Sequence, residues 1–298
     1  MNFNGFVVLH KEIGVSSFNA VDRLRKILKV KKCGHTGTLD PLAEGVLPVC
    51  LNKATKFIKY LDENEKEYIA ELKFGIQTDT FDITGTIINK NIEQVVDLAM
   101  VQKVLDEMTG DIELPIPKYS AVKINGERAY KLARSDKDFD AGKRVSTIYK
   151  VEILDLNYPM CIIKILCSKG TYVRSFINEL GIKLGCYATM TNLLRTKSGI
   201  FNIKNAYKLD EIEKMFKSKD YSFLLKIEDV LKFPVAVVKD EFLKLAKNGG
   251  KLKRGMYLKF PLSSEYNYYF LSDVKGNIFA IAKKLEGSIY PLKVEHVL

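Results

Sequence analysis

Histidine, paired cysteine and long apolar runs are what this 298-residue chain is short of. Its three histidines, His10, His35 and His296, are too scattered to form a histidine metal site. The five cysteines are odd in number, widely spaced and without a C-x-x-C pair, which argues against a disulfide framework or a zinc centre. No metal is expected. No apolar run approaches the roughly 18 residues that span a bilayer. The N-terminus lacks the basic-then-apolar pattern of a secretory signal, so a cytoplasmic location is the expectation. G-x-x-x-x-G-K-[ST], G-x-G-x-x-G, G-x-S-x-G and H-E-x-x-H are all missing. That sets aside the common phosphate loops, dinucleotide loops, serine-hydrolase elbows and zinc proteases.

What is present is an ordinary folding composition, 47% hydrophobic and 28% charged, long enough for two domains. The net charge of +11 is clustered. Arg23, Arg25, Lys26, Lys29, Lys31 and Lys32 fall together, residues 118–150 hold nine basic side chains against four acidic, and 239–259 hold seven against two. Clustered positive charge of this kind points to a polyanion, and a nucleic acid is the expected partner.

Periodicity places the elements. Gly5–His10 is a short buried strand, and Ser16 or Ser17 caps a helix with Phe18, Val21, Leu24, Ile27 and Leu28 at helical spacing. Val46–Leu51 is a strand whose mid-run Pro48 suggests an edge or a bulge. A helix is predicted over Lys53–Leu61, and Glu67–Phe74 alternates as a strand. After a turn-rich 77–86 comes a helix centred on Val101 and Leu105. Residues 111–147, with Pro115 and Pro117, read as a long mobile insertion carrying one short helix at Tyr130–Arg134, of the kind that serves as a lid or a binding arm. Strands at Thr147–Leu156 and Met160–Cys167 lead to a helix opened by Thr171, with Arg174 and Asn178 off its apolar face. Met190–Phe201 is strand-like. Phe233-Pro234-Val235 reads as a linker, giving a large domain over 1–230 and a small β-rich module over 231–298. The module's Asp273-Val274-Lys275-Gly276-Asn277 is a hairpin signal.

One stretch stands out: Gly34-His35-Thr36-Gly37-Thr38-Leu39-Asp40-Pro41-Leu42-Ala43-Glu44-Gly45. Glycine admits backbone angles closed to other residues and proline fixes its own, so this is a shaped loop that holds Asp40 in a set direction. With Val46-Leu47-Pro48 it resembles the signature loop of the tRNA pseudouridine synthase B (TruB) family. Lys56, Lys66-Glu67-Tyr68, Thr78-Asp79-Thr80-Phe81-Asp82, Tyr119-Ser120-Ala121-Val122-Lys123 and Cys167-Ser168-Lys169-Gly170-Thr171-Tyr172-Val173-Arg174 resemble further blocks of that family, in order, over about residues 5–205. The C-terminal module is similar in size and basic character to the PUA-like RNA-binding domain that the family often carries.

The resemblance implies an α+β fold, a mixed and mainly antiparallel sheet with flanking helices. It implies an isomerase that converts uridine 55 in the T-loop of tRNA to pseudouridine on a flipped-out base, without a cofactor or a required protein partner and as a monomer. By motif position it implies Asp40 as nucleophile, Tyr68 as the aromatic beside the base and Arg174 as the partner of Asp40. Leu193 packs at the same site, and His35, Lys56, Asp82 and Tyr172 line the RNA or the active site. Glu44 is read as structural. The alternative is a non-catalytic RNA-binding protein or tRNA folding chaperone. The carboxylate speaks against pure binding, since it repels phosphate.

Overall fold

The structure, a computed structural model, describes residues 3–61, 64–120, 122–124, 126–129, 132, 139–261 and 265–297. Cα packing divides the chain into two compact units, Val7–Cys50 with Asp62–Phe223, and Met1–Phe6 with Leu51–Leu61 and Leu224–Leu298.

The larger unit is built on one mixed, mainly antiparallel sheet. Its elements, in chain order, are β1 (Gly5–Lys11), α1 (Ser17–Ile27), β2 (Cys33–His35), β3 (Ala43–Leu51), β4 (Glu65–Phe74), β5 (Ile76–Thr78), β6 (Ile87–Lys90), α2 (Leu98–Glu107), β7 (Gly110–Pro115), β8 (Lys123–Ile124), β9 (Glu127–Arg128), β10 (Lys143–Asn157), β11 (Met160–Ser168), α3 (Val173–Lys183), β12 (Ala188–Ser198), β13 (Phe201–Asn202) and α4 (Leu209–Lys217). Strands run in the order β1-β3-β12-β4-β11-β10-β7, with β2 on β3 and β13 on β12. Alternation does what it must. Lys66, Tyr68, Ala70, Leu72 and Phe74 of β4 and Cys161, Ile163, Ile165 and Cys167 of β11 are buried, and the intervening residues are not.

β12 decides where the site forms. It pairs antiparallel with β4 along its length and parallel with β3 over Leu193–Arg195 and Ala43–Gly45. That short parallel ladder brings the end of the Gly-rich loop beside the residues opposite Tyr68, because Arg195 pairs with both Gly45 and Tyr68. Gly45 has φ +100°, and a Cβ there would lie 2.3 Å from the Arg195 carbonyl oxygen. Only glycine fits.

Four expectations are corrected here. β3 is interior, not an edge. Pro48 is tolerated because the β12 ladder stops at Gly45, β2 takes over that flank, and the Pro48 carbonyl accepts the Thr36 N–H at 3.2 Å. The predicted helix at 53–61 is two 3₁₀ turns, Asn52–Lys56 and Ile58–Tyr60. Buried Ala54 and Phe57, followed by Tyr60 against Tyr268, repeat every third residue, the 3₁₀ period. In α1 the buried face is Ser17, Ala20, Val21 and Leu24, and Phe18 is 75% exposed. Ser17 turns inward because its hydroxyl exchanges hydrogen bonds with the Leu39 N–H and carbonyl, at 2.8 and 2.9 Å. The insertion begins with a regular strand, since β7 pairs with Lys143–Ile148 of β10. Its Pro115 sits on the last residue of the sheet's edge strand, where a missing donor is tolerated. The predicted helix at Tyr130–Arg134 lies, apart from Leu132, outside the described residues.

The C-terminal unit contains β14 (Leu224–Leu225), α5 (Ile227–Leu231), β15 (Val235–Val238), α6 (Leu243–Lys247), β16 (Tyr257–Lys259), β17 (Tyr268–Ser272), β18 (Ile278–Lys284) and β19 (Leu292–Val297). The last five strands form a sheet ordered β16-β15-β17-β18-β19. Residues 233–235 are no linker: Val235 already belongs to β15, and the Pro234 carbonyl accepts the Phe270 N–H at 2.9 Å. Asp273 closes the predicted hairpin by accepting the Lys275 and Asn277 N–H groups at 3.0 and 2.8 Å. Residues 51–61 join this unit because the Phe57 and Tyr60 rings pack on His296 and Tyr60 also on Phe233 and Tyr268.

Candidate active site

The site is assembled around a pinned loop. Leu39 is buried and clasped by Ser17 on both backbone groups. On the other side of Asp40, the Pro41 carbonyl accepts the Gly14 N–H at 2.8 Å and faces Lys11 Nζ at 3.5 Å. The Asp40 carbonyl accepts the Ala43 N–H at 3.0 Å, closing a turn. With its neighbours fixed on both sides, the Asp40 carboxylate has a defined direction.

That direction is toward Arg174. The guanidinium lies in the first turn of α3 and is 4% exposed. One nitrogen is 3.2 Å from Asp40 Oδ2 and donates to the Tyr119 carbonyl at 2.7 Å. The other is 3.6 Å from Asp82 Oδ2 and donates to the Thr80 carbonyl at 3.4 Å. A guanidinium this deep is tolerable only when paired and hydrogen-bonded. The sequence reading put Arg174 and Asn178 off the buried face of their helix, and both are buried. Asn178 accepts from Gln77 Nε2 at 2.7 Å and Arg174 has its two carboxylates, so polar partners replace solvent on that side.

Asp82 is a turn residue and a partner of Arg174 at once. Its Oδ1 accepts the Thr84 N–H and the Thr80 hydroxyl, both at 3.0 Å, and its Oδ2 faces the guanidinium. It stands behind Arg174 and does not line the cavity.

A cavity of about 380 Å³ opens in front of Asp40, within the usual range of small-molecule sites. Tyr68, Tyr172, Leu193, Arg174 and Asp40 all line it. Burial pushes the Tyr68 phenol up, so its hydroxyl is neutral. His35 and Lys56 are not among the lining residues. His35 sits half-buried on β2, where burial and Arg195 lower its pKa and its Nδ1 has no partner. Lys56 is exposed on the 3₁₀ turn of the C-terminal unit. Glu44 lies 3.5 Å from His10 Nε2, away from the cavity lining.

Sequence reasoning missed several lining residues. Arg195 is 1% exposed and donates to the Val46 and Gly37 carbonyls at 2.7 and 3.1 Å, bracing the loop. Lys66 is buried two residues before Tyr68 and donates to Ser198 Oγ at 2.6 Å. Ser120 contributes a buried hydroxyl with no partner among the described residues. For Lys66 and Arg195 the signal was a charged side chain in the buried phase of an apolar strand, a placement rare without a purpose. In charge, the lining sets Asp40 alone against Lys66, Arg144, Lys169, Arg174 and Arg195. Among the described residues no group of three His, Cys, Asp or Glu side chains converges as a metal site.

Lys11 was also unforeseen. Almost wholly buried, it donates to the Glu12 and Val15 carbonyls at 3.0 and 2.7 Å. Burial pulls its pKa down from 10.5 to about 8 against the pull of Asp40. Between those values the unfolded chain keeps a proton that the folded one releases, so unfolding free energy rises with pH across the window from about 8 to 10.5. Urea unfolding of wild type and Lys11→Met at pH 8 and pH 10 should show that increment only in wild type. Equal slopes in the two proteins would assign Lys11 an ordinary pKa.

The fold is that of the pseudouridylate synthases. Residues 25–173 match the N-terminal domain of the TruB family pseudouridylate synthases, and residues 174–232 match the tRNA pseudouridylate synthase B C-terminal domain. Over 278 residues, covering 93% of each chain, the protein is 37% identical to the tRNA pseudouridine synthase B of Clostridium kluyveri. It is 36% identical over 305 residues to that of Bacillus cytotoxicus, covering 97% of this chain and 96% of the relative. Among solved structures, a Cbf5-Nop10-Gar1 complex superposes with a TM-score of 0.72 at 25% identity, over 99% of this chain and 85% of that one. The chain belongs to the TruB family of pseudouridylate synthases. No described helix is long and apolar enough to cross a membrane.

Proposed function

We propose that the protein isomerises uridine 55 in the T-loop of tRNA to pseudouridine, with Asp40 as the nucleophile. The observation that carries this reading is the Asp40–Arg174 pair, 3.2 Å apart, at a cation-rich cavity lined by an aromatic residue. Relatives named tRNA pseudouridine synthase B support tRNA as the substrate. The base breaks its C1′–N1 bond, turns over and rebonds to C1′ through C5; the C5 proton leaves and N1 ends with a proton. Uracil departs as a delocalised anion, so no second carboxylate is needed as an acid, unlike in glycoside hydrolysis. Asp40 attacks C1′ or ring C6 and is displaced again as C5 bonds to C1′, and then takes the C5 proton directly or through water. Arg174, 3.2 Å away, holds the Asp40 carboxylate in place and balances its charge.

The uridine must be extruded from its loop to reach Asp40. Tyr68 then stacks on it, a contact worth about 1–3 kcal/mol. Tyr172 and Leu193 wall the base, His35 occupies the place the base leaves, and Lys56 meets phosphate. Asp82 acts through Arg174. The reaction is an isomerisation and needs no cofactor; the enzyme works as a monomer in the cytoplasm, and the C-terminal unit serves as a PUA-like RNA-binding domain.

The test is an unmodified tRNA transcript tritiated at uridine C5. One equivalent of label released per tRNA, and none when residue 55 is cytidine, is the expected result. RNA binding with no release overturns catalysis and leaves the chaperone reading.

A further inference from the structure

Two of the cavity's cations are unaccounted for. Arg174 is balanced by two carboxylates and Arg195 by two carbonyls. Arg144 and Lys169 also line the cavity, both exposed, and neither side chain is in an ion pair among the described residues. The adjacent Lys143 does have an acid, Glu113 at 3.7 Å.

Their placement is built into the sheet. The β10–β11 ladder pairs Ile148 with Cys167, and beyond it the Thr147 N–H donates to Ser168 Oγ at 3.0 Å. This carries the start of β10 over the turn at Ser168–Thr171. In that turn Gly170 takes φ +82°, and a Cβ there would lie 2.7 Å from the Arg144 guanidinium. The guanidinium thus rests against bare backbone, with Lys169 next in sequence to Gly170. The Lys169 N–H is tied to the Asn64 carbonyl at 2.8 Å.

We propose that Arg144 and Lys169 form a clamp for a phosphodiester bonded directly to the flipped nucleotide. The inference rests on the reading of the cavity as a uridine site. A base that enters the cavity is joined through one ribose to its phosphates, which stay at the rim where these two cations lie. Planar guanidinium donors suit the paired oxygens of a phosphate, and the neighbouring ammonium adds a point charge. The two cations also offset the repulsion that Asp40 exerts on that phosphate. Arg144 and Lys169 are therefore positioning residues for the nucleotide that reacts.

The experiment is a double-mutant cycle on binding, independent of turnover. T-stem-loop RNAs are prepared with a neutral methylphosphonate in place of the phosphate either 5′ or 3′ to the target uridine. Their Kd values are measured by filter binding against wild type, Arg144→Gln, Lys169→Gln and Arg144→Lys. One of the two methylphosphonates should weaken wild-type binding about tenfold and cost Arg144→Gln almost nothing more. Arg144→Gln should also lower the slope of log Kd against log salt by about 0.7, one phosphate contact on a single strand. Arg144→Lys should restore the slope while recovering only part of the affinity. Methylphosphonate penalties that are undiminished in both glutamine variants, or absent at both positions in wild type, overturn the clamp. Wild-type binding without label release would sink the catalytic reading and leave the clamp to be decided by the coupling. No binding by wild type overturns both.

Discussion

Asp40→Asn is expected to release no tritium above background while binding T-stem-loop RNA about as well as wild type. The substitution preserves shape and removes only the charge and nucleophilicity of one carboxylate. Arg174 keeps Asp82 and the Tyr119 and Thr80 carbonyls as partners, so the cavity stays assembled. Among the described residues no other lining side chain carries a carboxylate to stand in. A fall in kcat of at least about 10⁴-fold is the scale seen when an enzyme loses its nucleophile. Turnover near the wild-type value would remove Asp40 from the chemistry.

Arg174→Met should damage both turnover and stability. The side chain joins two carboxylates that come from different parts of the chain, Asp40 on the Gly-rich loop and Asp82 on the turn after β5, and it is itself 4% exposed. Taking it away strands Asp82, only 5% exposed, without its cation. Breaking a buried pair from one side costs about 3–5 kcal/mol. Chemical denaturation should register a loss of that order. Adding Asp82→Asn should return part of the stability, since no buried charge then remains unpaired, and should return no activity. If the single variant unfolds at the wild-type urea concentration, the ion pairs contribute nothing net to folding. If the double variant regains turnover, Arg174 does not act on Asp40.

Much of this protein was legible before any coordinates. Alternation identified β4, because a strand with one buried face has a period that no other element shares. The Asp273 hairpin and the Ser16-capped helix were legible for a similar reason: a turn or a cap is satisfied within a few residues. Composition marked the Gly-rich loop that carries Asp40, ordered motif blocks carried Tyr68, Tyr172 and Arg174, and the resemblance implied Leu193; all of these residues line one cavity.

What the linear chain left open depends on partners far away in sequence. The 53–61 segment has apolar spacing that fits a helix, yet Phe57 and Tyr60 pack on rings from 233–296 and impose a 3₁₀ period. Arg174 looks like an exposed helix residue until two distant carboxylates surround it. Lys66, Arg195 and Lys11 carry charge into the interior, and local patterning has no means of naming the carbonyls and hydroxyl that accept their hydrogen bonds. The sequence by itself determined strand faces, caps and turns, and the loop that presents Asp40, since each follows from near neighbours or from a continuous motif. Only the tertiary structure decided which cations meet it, because β12, running antiparallel to β4 and parallel to β3, joins segments some 150 residues apart, Gly45 to Arg195.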